Sequence, residues 1–133
     1  MKPLRVEEVL YLHYRIAKQT GGRYEVRSPA LLGGAVARPF AQVRGQDVYP
    51  TPFDKAAVLL VGIISCKPFY DCNDTAAVGA ALLLLQRFGF KVKANPELPG
   101  LAAAVADGMG DWRRVAAWLR EHSRPKEDAA AGC

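Results

Sequence analysis

The side chains best suited to chemistry lie in one short stretch, residues 67–77, which reads KPFYDCNDTAA. Aromatic, acidic, amide and thiol groups crowd together there, between two long apolar segments. Residues 71–75 open the second segment, which has the pattern of a helix. A helix N-terminus presents unpaired backbone N–H groups and a partial positive charge, so this stretch could bind phosphate. Asp71 could hold a Mg²⁺ ion bridging phosphate oxygens, since Mg²⁺ prefers one or two carboxylates plus phosphate and water.

The same residues also fit an ordinary helix cap, because Asp71, Asn73 and Asp74 are all good capping residues. On composition alone the phosphate-site and capping interpretations are equally supported. Lys67 could act as a base only if burial kept its amine neutral. Cys72 could be a nucleophile at a helix N-terminus, although a small buried side chain is the favoured interpretation.

The elements that would position this stretch are mostly helical. Segments that are apolar on most faces predict two buried central helices, over residues 52–65 and 75–88, which Pro68 and Gly89 would end. Apolar spacing and capping residues predict four more helices, over residues 6–18, 29–38, 96–107 and 111–122. Gly21 and Gly22 would end the first of these four. Residues 39–52 contain turn formers and strand formers and predict a small hairpin flap, with which a short strand at residues 90–94 could pair.

His13 falls on the apolar stripe of the first predicted helix. A histidine in that position is more often packed and hydrogen-bonded than used as a ligand or base. We therefore interpret His13 as a core residue.

Length and composition fit one domain over residues 1–124, followed by a disordered tail over residues 125–133. The apolar segments are about half the ~20 residues that a membrane span needs, so no spanning helix is expected. The first ten residues lack the pattern of a signal peptide, which favours a cytoplasmic location. Three cysteines without C-x-x-C spacing predict reduced thiols rather than disulfides or a zinc site.

The formal charge of +5 is compatible with an acidic partner. The basic residues are spread along the chain, and no dense run forms a nucleic-acid arm. Solvated helix faces are the favoured interpretation, and nucleic-acid binding is the weaker alternative.

Residues 67–76, together with the order of the segments around them, resemble the Fic/Doc (Fido) family, in particular its Doc (death-on-curing) toxin branch. The family motif runs H-P-F-x-D-G-N-K-R-T, and Pro68, Phe69, Asp71 and Asn73 keep its recognisable positions. The resemblance covers roughly residues 6–108. It implies a mainly α Fido domain with a small β-hairpin flap.

The chain departs from that motif at the positions that carry its chemistry. The family histidine acts as general base, and Lys67 stands in its place; the basic residues that hold nucleotide phosphates are replaced by Asp74 and Thr75. The resemblance then implies a protein whose transferase activity is lost or greatly reduced and which needs no cofactor. It would bind a protein partner, such as an antitoxin-like segment or a former target, through flap residues that include Arg44 and Tyr49.

The alternative keeps an active phosphotransferase or AMP transferase that uses ATP and Mg²⁺ to modify a protein hydroxyl. Asp71 would then hold Mg²⁺, Asn73 would position the phosphate or the loop, and Lys67 would contact phosphate. Asn73, Asp74 and Thr75 occupy the phosphate-loop positions in either case. The sequence predicts no oligomeric state.

Overall fold

The computed structural model describes residues 3–92, 100, 105 and 111–125. Within these residues the chain is mainly helical and carries a small hairpin flap, as the sequence predicts. The helices are α1 (Val6–Thr20), α2 (Pro29–Ala37), α3 (Pro52–Cys66), α4 (Asn73–Arg87) and α5 (Trp112–His122), with a 3₁₀ turn at Arg38–Phe40. The strands are β1 (Gln42–Val43), β2 (Gln46–Asp47), β3 (Phe90–Val92) and β4 (Ser123–Pro125).

Helix α3 lies at the centre, in contact with α2, α4 and α5. It begins at a capping box in which Thr51 Oγ1 accepts the Asp54 N–H at 3.0 Å and Asp54 Oδ2 accepts the Thr51 N–H at 3.4 Å. Ten of its residues, from Phe53 to Ile64, are buried, which agrees with its apolar composition on most faces. It is therefore the main scaffold for the loop that follows it.

Helix α1 packs against α4 at a point where α4 carries a glycine. A Cβ atom added at Gly79 would lie 3.0 Å from Leu12 Cδ2. The missing side chain thus lets the two helices approach closely. Gly21 ends α1 in the left-handed conformation with φ of 78°, as the sequence predicts.

An ion pair joins the start of α1 to the end of α4. Arg87 contacts both carboxylate oxygens of Glu8, and its Nη1 lies 2.9 Å from Glu8 Oε1. The hydrogen bond from Arg87 lowers the pKa of the Glu8 carboxyl below its ordinary value of 4.5, and the N–H of Arg5 acts in the same direction. Because this pKa is depressed in the folded state, the pair stabilises the fold above the unfolded pKa and loses that effect as the pH falls.

Glu8→Gln is expected to lower the free energy of unfolding by about 0.5–1 kcal/mol at pH 7. The glutamine keeps an oxygen for the Arg5 N–H but removes the charge that faces Arg87. Urea unfolding at several pH values would show the difference between the two proteins closing below pH 4.5. A difference that stays constant down to pH 3 would contradict an ionic origin.

The last strands pair differently from the prediction. Strand β3 pairs antiparallel with β4, in the register Phe90 with Pro125 and Val92 with Ser123, and not with the flap. Pro125, where the disordered tail was predicted to start, is the last residue of β4. The predicted helix over residues 96–107 and the rest of the predicted tail lie outside the described residues, apart from positions 100 and 105.

Helix α5 begins, as predicted, after Asp111, whose side chain accepts the Arg113 N–H at 3.0 Å. Its Val115, Ala116 and Leu119 are buried, and the helix contacts α3. Among the helices that the structure describes, none has both the length and the apolar character needed to cross a membrane.

Candidate functional site

The loop between α3 and α4 is bracketed by two residues with left-handed backbone conformation. Lys67 ends α3 with φ of 48°, and Cys72 precedes α4 with φ of 64°. Residues other than glycine rarely adopt this backbone conformation, and it persists where surrounding contacts impose it. The loop, defined here as residues 67–72, is thus held in a specific shape.

Asn73 supplies one of these contacts from the first position of α4. Its Oδ1 accepts the Phe69 N–H at 3.1 Å, and its Nδ2 donates to the Phe69 carbonyl at 2.9 Å. Both polar atoms of the side chain are therefore used inside the loop. These two hydrogen bonds help to fix the shape of the loop.

Phe69 and His13 anchor the loop to α1. The Phe69 ring is 1% exposed and stacks on the His13 imidazole, with centroids 3.6 Å apart and planes 7° apart. His13 Nε2 lies 2.7 Å from the Asp71 carbonyl, a hydrogen bond that requires the proton on Nε2. The prediction that His13 is a packed, hydrogen-bonded residue is confirmed.

The segment after α1, residues 22–28, forms the other wall of the loop. The Pro68 carbonyl accepts the N–H groups of Arg27 and Ser28 at 2.7 and 3.0 Å. The Arg27 guanidinium donates to the carbonyls of Cys66 and Lys67, each at 2.7 Å. Arg27 thereby satisfies carbonyl groups at the end of α3, where no further helical turn exists to do so.

A glycine permits this close approach. A Cβ atom added at Gly22 would lie 3.1 Å from Cys72 Sγ and 3.4 Å from the Asp71 Cβ. From the sequence, Gly22 was interpreted only as a helix stop. Its second role depends on a contact about fifty residues away, for which the local sequence carries no signal.

The acidic and hydroxyl candidates lie at the start of α4. Asp71, Asp74 and Thr75 are exposed, and Asp71 Oδ2 accepts the Arg23 N–H at 2.9 Å. Within the described residues no group of three or more His, Cys, Asp or Glu side chains could hold a metal ion. A Mg²⁺ ion here would depend on Asp71 together with the phosphates of a nucleotide.

The interpretation of this stretch as an ordinary helix cap is wrong in its details. The N-cap residue is Cys72, and no side chain caps the helix there. Asn73 faces Phe69, and Asp71 accepts a hydrogen bond from the segment after α1. Asp74 makes no side-chain hydrogen bond in the described part of the chain, so its carboxylate acts through its charge and not by covering the N–H groups. The start of α4 retains the uncapped N–H groups that suit an anion.

Two cysteines lie within the described residues, and neither forms a disulfide there. Cys66 and Cys72 are free, and Cys72 Sγ lies 3.5 Å from Thr20 Oγ1. Both side chains are half-buried. Cys133 lies outside the described residues.

The flap is an antiparallel hairpin of β1 and β2 whose turn consists of Arg44 and Gly45. Both turn residues have positive φ, 53° and 79°, the conformation of a tight type I′ hairpin turn. Arg44 is exposed at the tip. Tyr49, predicted to contact a partner beside it, is only 8% exposed, because its ring packs edge-on against Trp112 with centroids 5.1 Å apart.

Lys55, which the sequence pattern does not mark as a site residue, holds the flap to α3. Its side chain is buried, its Nζ lies 3.0 Å from Asp47 Oδ2, and it also donates to the Tyr49 carbonyl. Hydrogen bonds from Gln42 and then Lys55 lower the pKa of the Asp47 carboxyl. A lysine that directly precedes the apolar run of residues 56–64 is the signal that could have identified this contact.

Lys55→Met is expected to loosen the flap without disturbing the rest of the core. The methionine fills the same space, but Asp47 and the Tyr49 carbonyl lose a charged hydrogen-bond donor. We expect this loss to raise the rate of local opening about tenfold. Hydrogen exchange of the Val48 amide, which donates to the Ala41 carbonyl, reports the opening. Lys91→Met, at an exposed lysine of β3, is the control. Equal protection of the flap in both variants would contradict the role of Lys55.

Comparison with known proteins identifies a family for this chain. The family model of the Fic/DOC family matches residues 3–85. The Toxin Doc of Mycolicibacterium smegmatis is 41% identical over 75 residues, which is 56% of this chain and 58% of that toxin. The chain therefore spans little more than half the length of this curated relative.

Proposed function

Because this chain belongs to the Fic/DOC family, we propose that it acts by binding a protein partner and has lost most or all of the family's nucleotide-dependent transfer chemistry. The observation that carries the proposal is a contrast within residues 67–75. The residues that shape the loop match the family motif and are buried or hydrogen-bonded, whereas the residues that would perform proton transfer and bind phosphate have changed type.

The first part of the contrast concerns the base. Lys67 occupies the position of the family histidine, and its side chain is exposed to solvent at the end of α3. A lysine ammonium group has three donors and no acceptor, so it cannot take a proton from a hydroxyl group as an imidazole does. Proton abstraction from a target hydroxyl would need a different group.

The second part concerns phosphate. Asp74 and Thr75 stand where the family has two cations, and both side chains are exposed at the start of α4. The carboxylate of Asp74 repels a triphosphate at the point where the helix N-terminus would attract it. Asp71 is retained, but without cations it would hold Mg²⁺ and phosphate weakly.

The partner class follows from the relative that bears the name of a toxin. We propose an antitoxin-like segment or a former target protein that contacts the flap through Arg44. The exposed position of Arg44 at the hairpin tip supports this, whereas Tyr49 would contribute by supporting the base of the flap. With a purified partner, Arg44→Glu is expected to weaken binding. Unchanged affinity would remove the flap from the interface.

Isothermal titration calorimetry with ATP and Mg²⁺ tests the loss of nucleotide binding. We expect no measurable heat of binding at micromolar concentrations of ATP. A dissociation constant in the micromolar range would overturn the proposal.

A second candidate function is an active phosphotransferase or AMP transferase, and the uncapped N–H groups at the start of α4 favour it. Asp71 would hold Mg²⁺, and Lys67 would contact a phosphate while another group acts as base. Incubation with labelled ATP and a bacterial lysate tests this candidate. Label transfer that exceeds the level of a Lys67→Ala, Asp71→Ala double variant would support it, and equal labelling would exclude it.

A further inference from the structure

Three tyrosines lie exposed on α1 and the segment that follows it. Tyr11 is 62% exposed, Tyr14 is 40% exposed and Tyr24 is 57% exposed. The rings of Tyr14 and Tyr24 meet edge-on with centroids 5.2 Å apart. Exposed aromatic groups gathered at one place on a folded protein are a mark of a binding surface.

Two cations alternate with these rings. The Arg15 guanidinium carbon lies 5.9 Å from the centroid of Tyr11, and Lys18 Nζ lies 5.8 Å from the centroid of Tyr14. Within the described residues neither cation forms an ion pair. Both are exposed and therefore available to an anionic ligand.

Two glutamates close in sequence to these tyrosines form ion pairs with arginines. Glu7 lies 3.6 Å from Arg5, and Glu25 lies 3.4 Å from Arg23. The centre of the surface thus carries the unpaired positive charge. A depression of about 380 Å³ lies there, lined by Tyr11, Tyr14, Arg15, Lys18 and Gln19. We call these five residues together with Tyr24 the tyrosine face.

We propose that the tyrosine face binds single-stranded nucleic acid. Bases would stack on the exposed rings and phosphates would contact Arg15 and Lys18, the combination of aromatic platforms and cations that suits unpaired strands. Gln19 adds an amide that can donate to and accept from base edges. The charge of +5 on the whole chain favours the approach of such a ligand.

The helical period explains why the linear sequence gave little reason to expect this. Tyr11, Tyr14, Arg15 and Lys18 are separated by three or four residues, so α1 brings them to one side over roughly 10 Å. Although the basic residues are dispersed along the chain, Arg15 and Lys18 lie close together on this face. The proposal does not depend on residues 67–75, so it stands or falls separately from the proposed function.

Fluorescence anisotropy with a labelled twelve-nucleotide oligouridylate tests the proposal on the full chain. Binding at low salt is expected to weaken with a log–log slope of about −1.4 if two phosphates are contacted. Replacing both Tyr11 and Tyr14 with alanine should weaken binding at least about tenfold, because the stacking of a base on each ring is lost. Phenylalanine at both positions should retain binding. Tyr70→Ala, an exposed tyrosine outside the face, is the matched control and should leave affinity unchanged.

Several outcomes would overturn the proposal. One is no binding at low salt, and another is equal affinity for a duplex of the same length, whose stacked bases cannot use the rings. Equal loss of binding in Tyr70→Ala and the double alanine variant would indicate no role for the face. If poly-glutamate competes as well as an unlabelled oligouridylate of equal charge, the face recognises acidic protein segments instead. Circular dichroism would confirm that each variant is folded.

Discussion

Replacing Phe69 with alanine is expected to lower the free energy of unfolding by about 3–5 kcal/mol. The ring is 1% exposed within the core cluster that joins α3 and α4. Its removal leaves a cavity and also takes away the stacking partner of His13. Urea denaturation monitored by circular dichroism measures the change. The urea concentration at the midpoint should fall, and the dependence of the unfolding free energy on urea concentration should stay unchanged if unfolding is two-state.

The neighbouring residue supplies a matched control for this prediction. Tyr70 is 46% exposed and contacts the Arg23 guanidinium, 4.0 Å from its ring centroid. Because little apolar area is buried there, Tyr70→Ala should cost no more than about 1 kcal/mol. Similar losses in the two variants would mean that Phe69 is not the anchor of the loop.

Restoring cations at the start of α4 is expected to create nucleotide binding. The double substitution Asp74→Lys, Thr75→Arg removes a repulsive carboxylate and places two phosphate donors beside uncapped N–H groups. Each charge-assisted hydrogen bond contributes about 1.5–3 kcal/mol, so affinity for ATP with Mg²⁺ should rise about 10²–10⁴-fold. Calorimetry under the conditions used for the unaltered chain measures the gain.

The control must change the net charge equally at another place. Glu121→Lys with Ala117→Arg adds the same three positive charges at exposed positions of α5. If this variant gains as much affinity, the effect is general attraction and not a phosphate site. If neither variant binds, the loop lacks more of the family's phosphate-binding geometry than its side chains suggest.

The helix positions could be predicted from sequence because their ends carry strong chemical signals. Ser28 with Pro29, Thr51 with Pro52, and Asp111 each begin a helix in the structure, and Gly21 ends one. A cap acts over three or four residues, so the local sequence contains the whole signal. Helix α4 begins at Asn73, two residues before the predicted start. The sequence does not mark this start, because the N-cap residue Cys72 is not a typical capping residue.

Contacts between distant residues could not be predicted in this way. Strand β3 was predicted from its alternating pattern, but β4 was not, and their pairing joins positions more than thirty residues apart. Arg27 and Gly22 act on a loop about forty to fifty residues further along the chain. The candidate residues Asp71, Asn73, Asp74 and Thr75 lie together because they are neighbours in sequence. Their separate surroundings were visible only in the fold.

The reciprocal hydrogen bonds between Asn73 and Phe69 have a consequence for how such chains evolve. Selection for folding alone would keep these two residues, since losing either disturbs the loop and the core beneath it. Lys67, Asp74 and Thr75 are exposed, and their replacement costs the fold little. A lineage that stops using the loop for chemistry would therefore preserve the motif residues that shape the loop after the residues that perform the chemistry have been replaced.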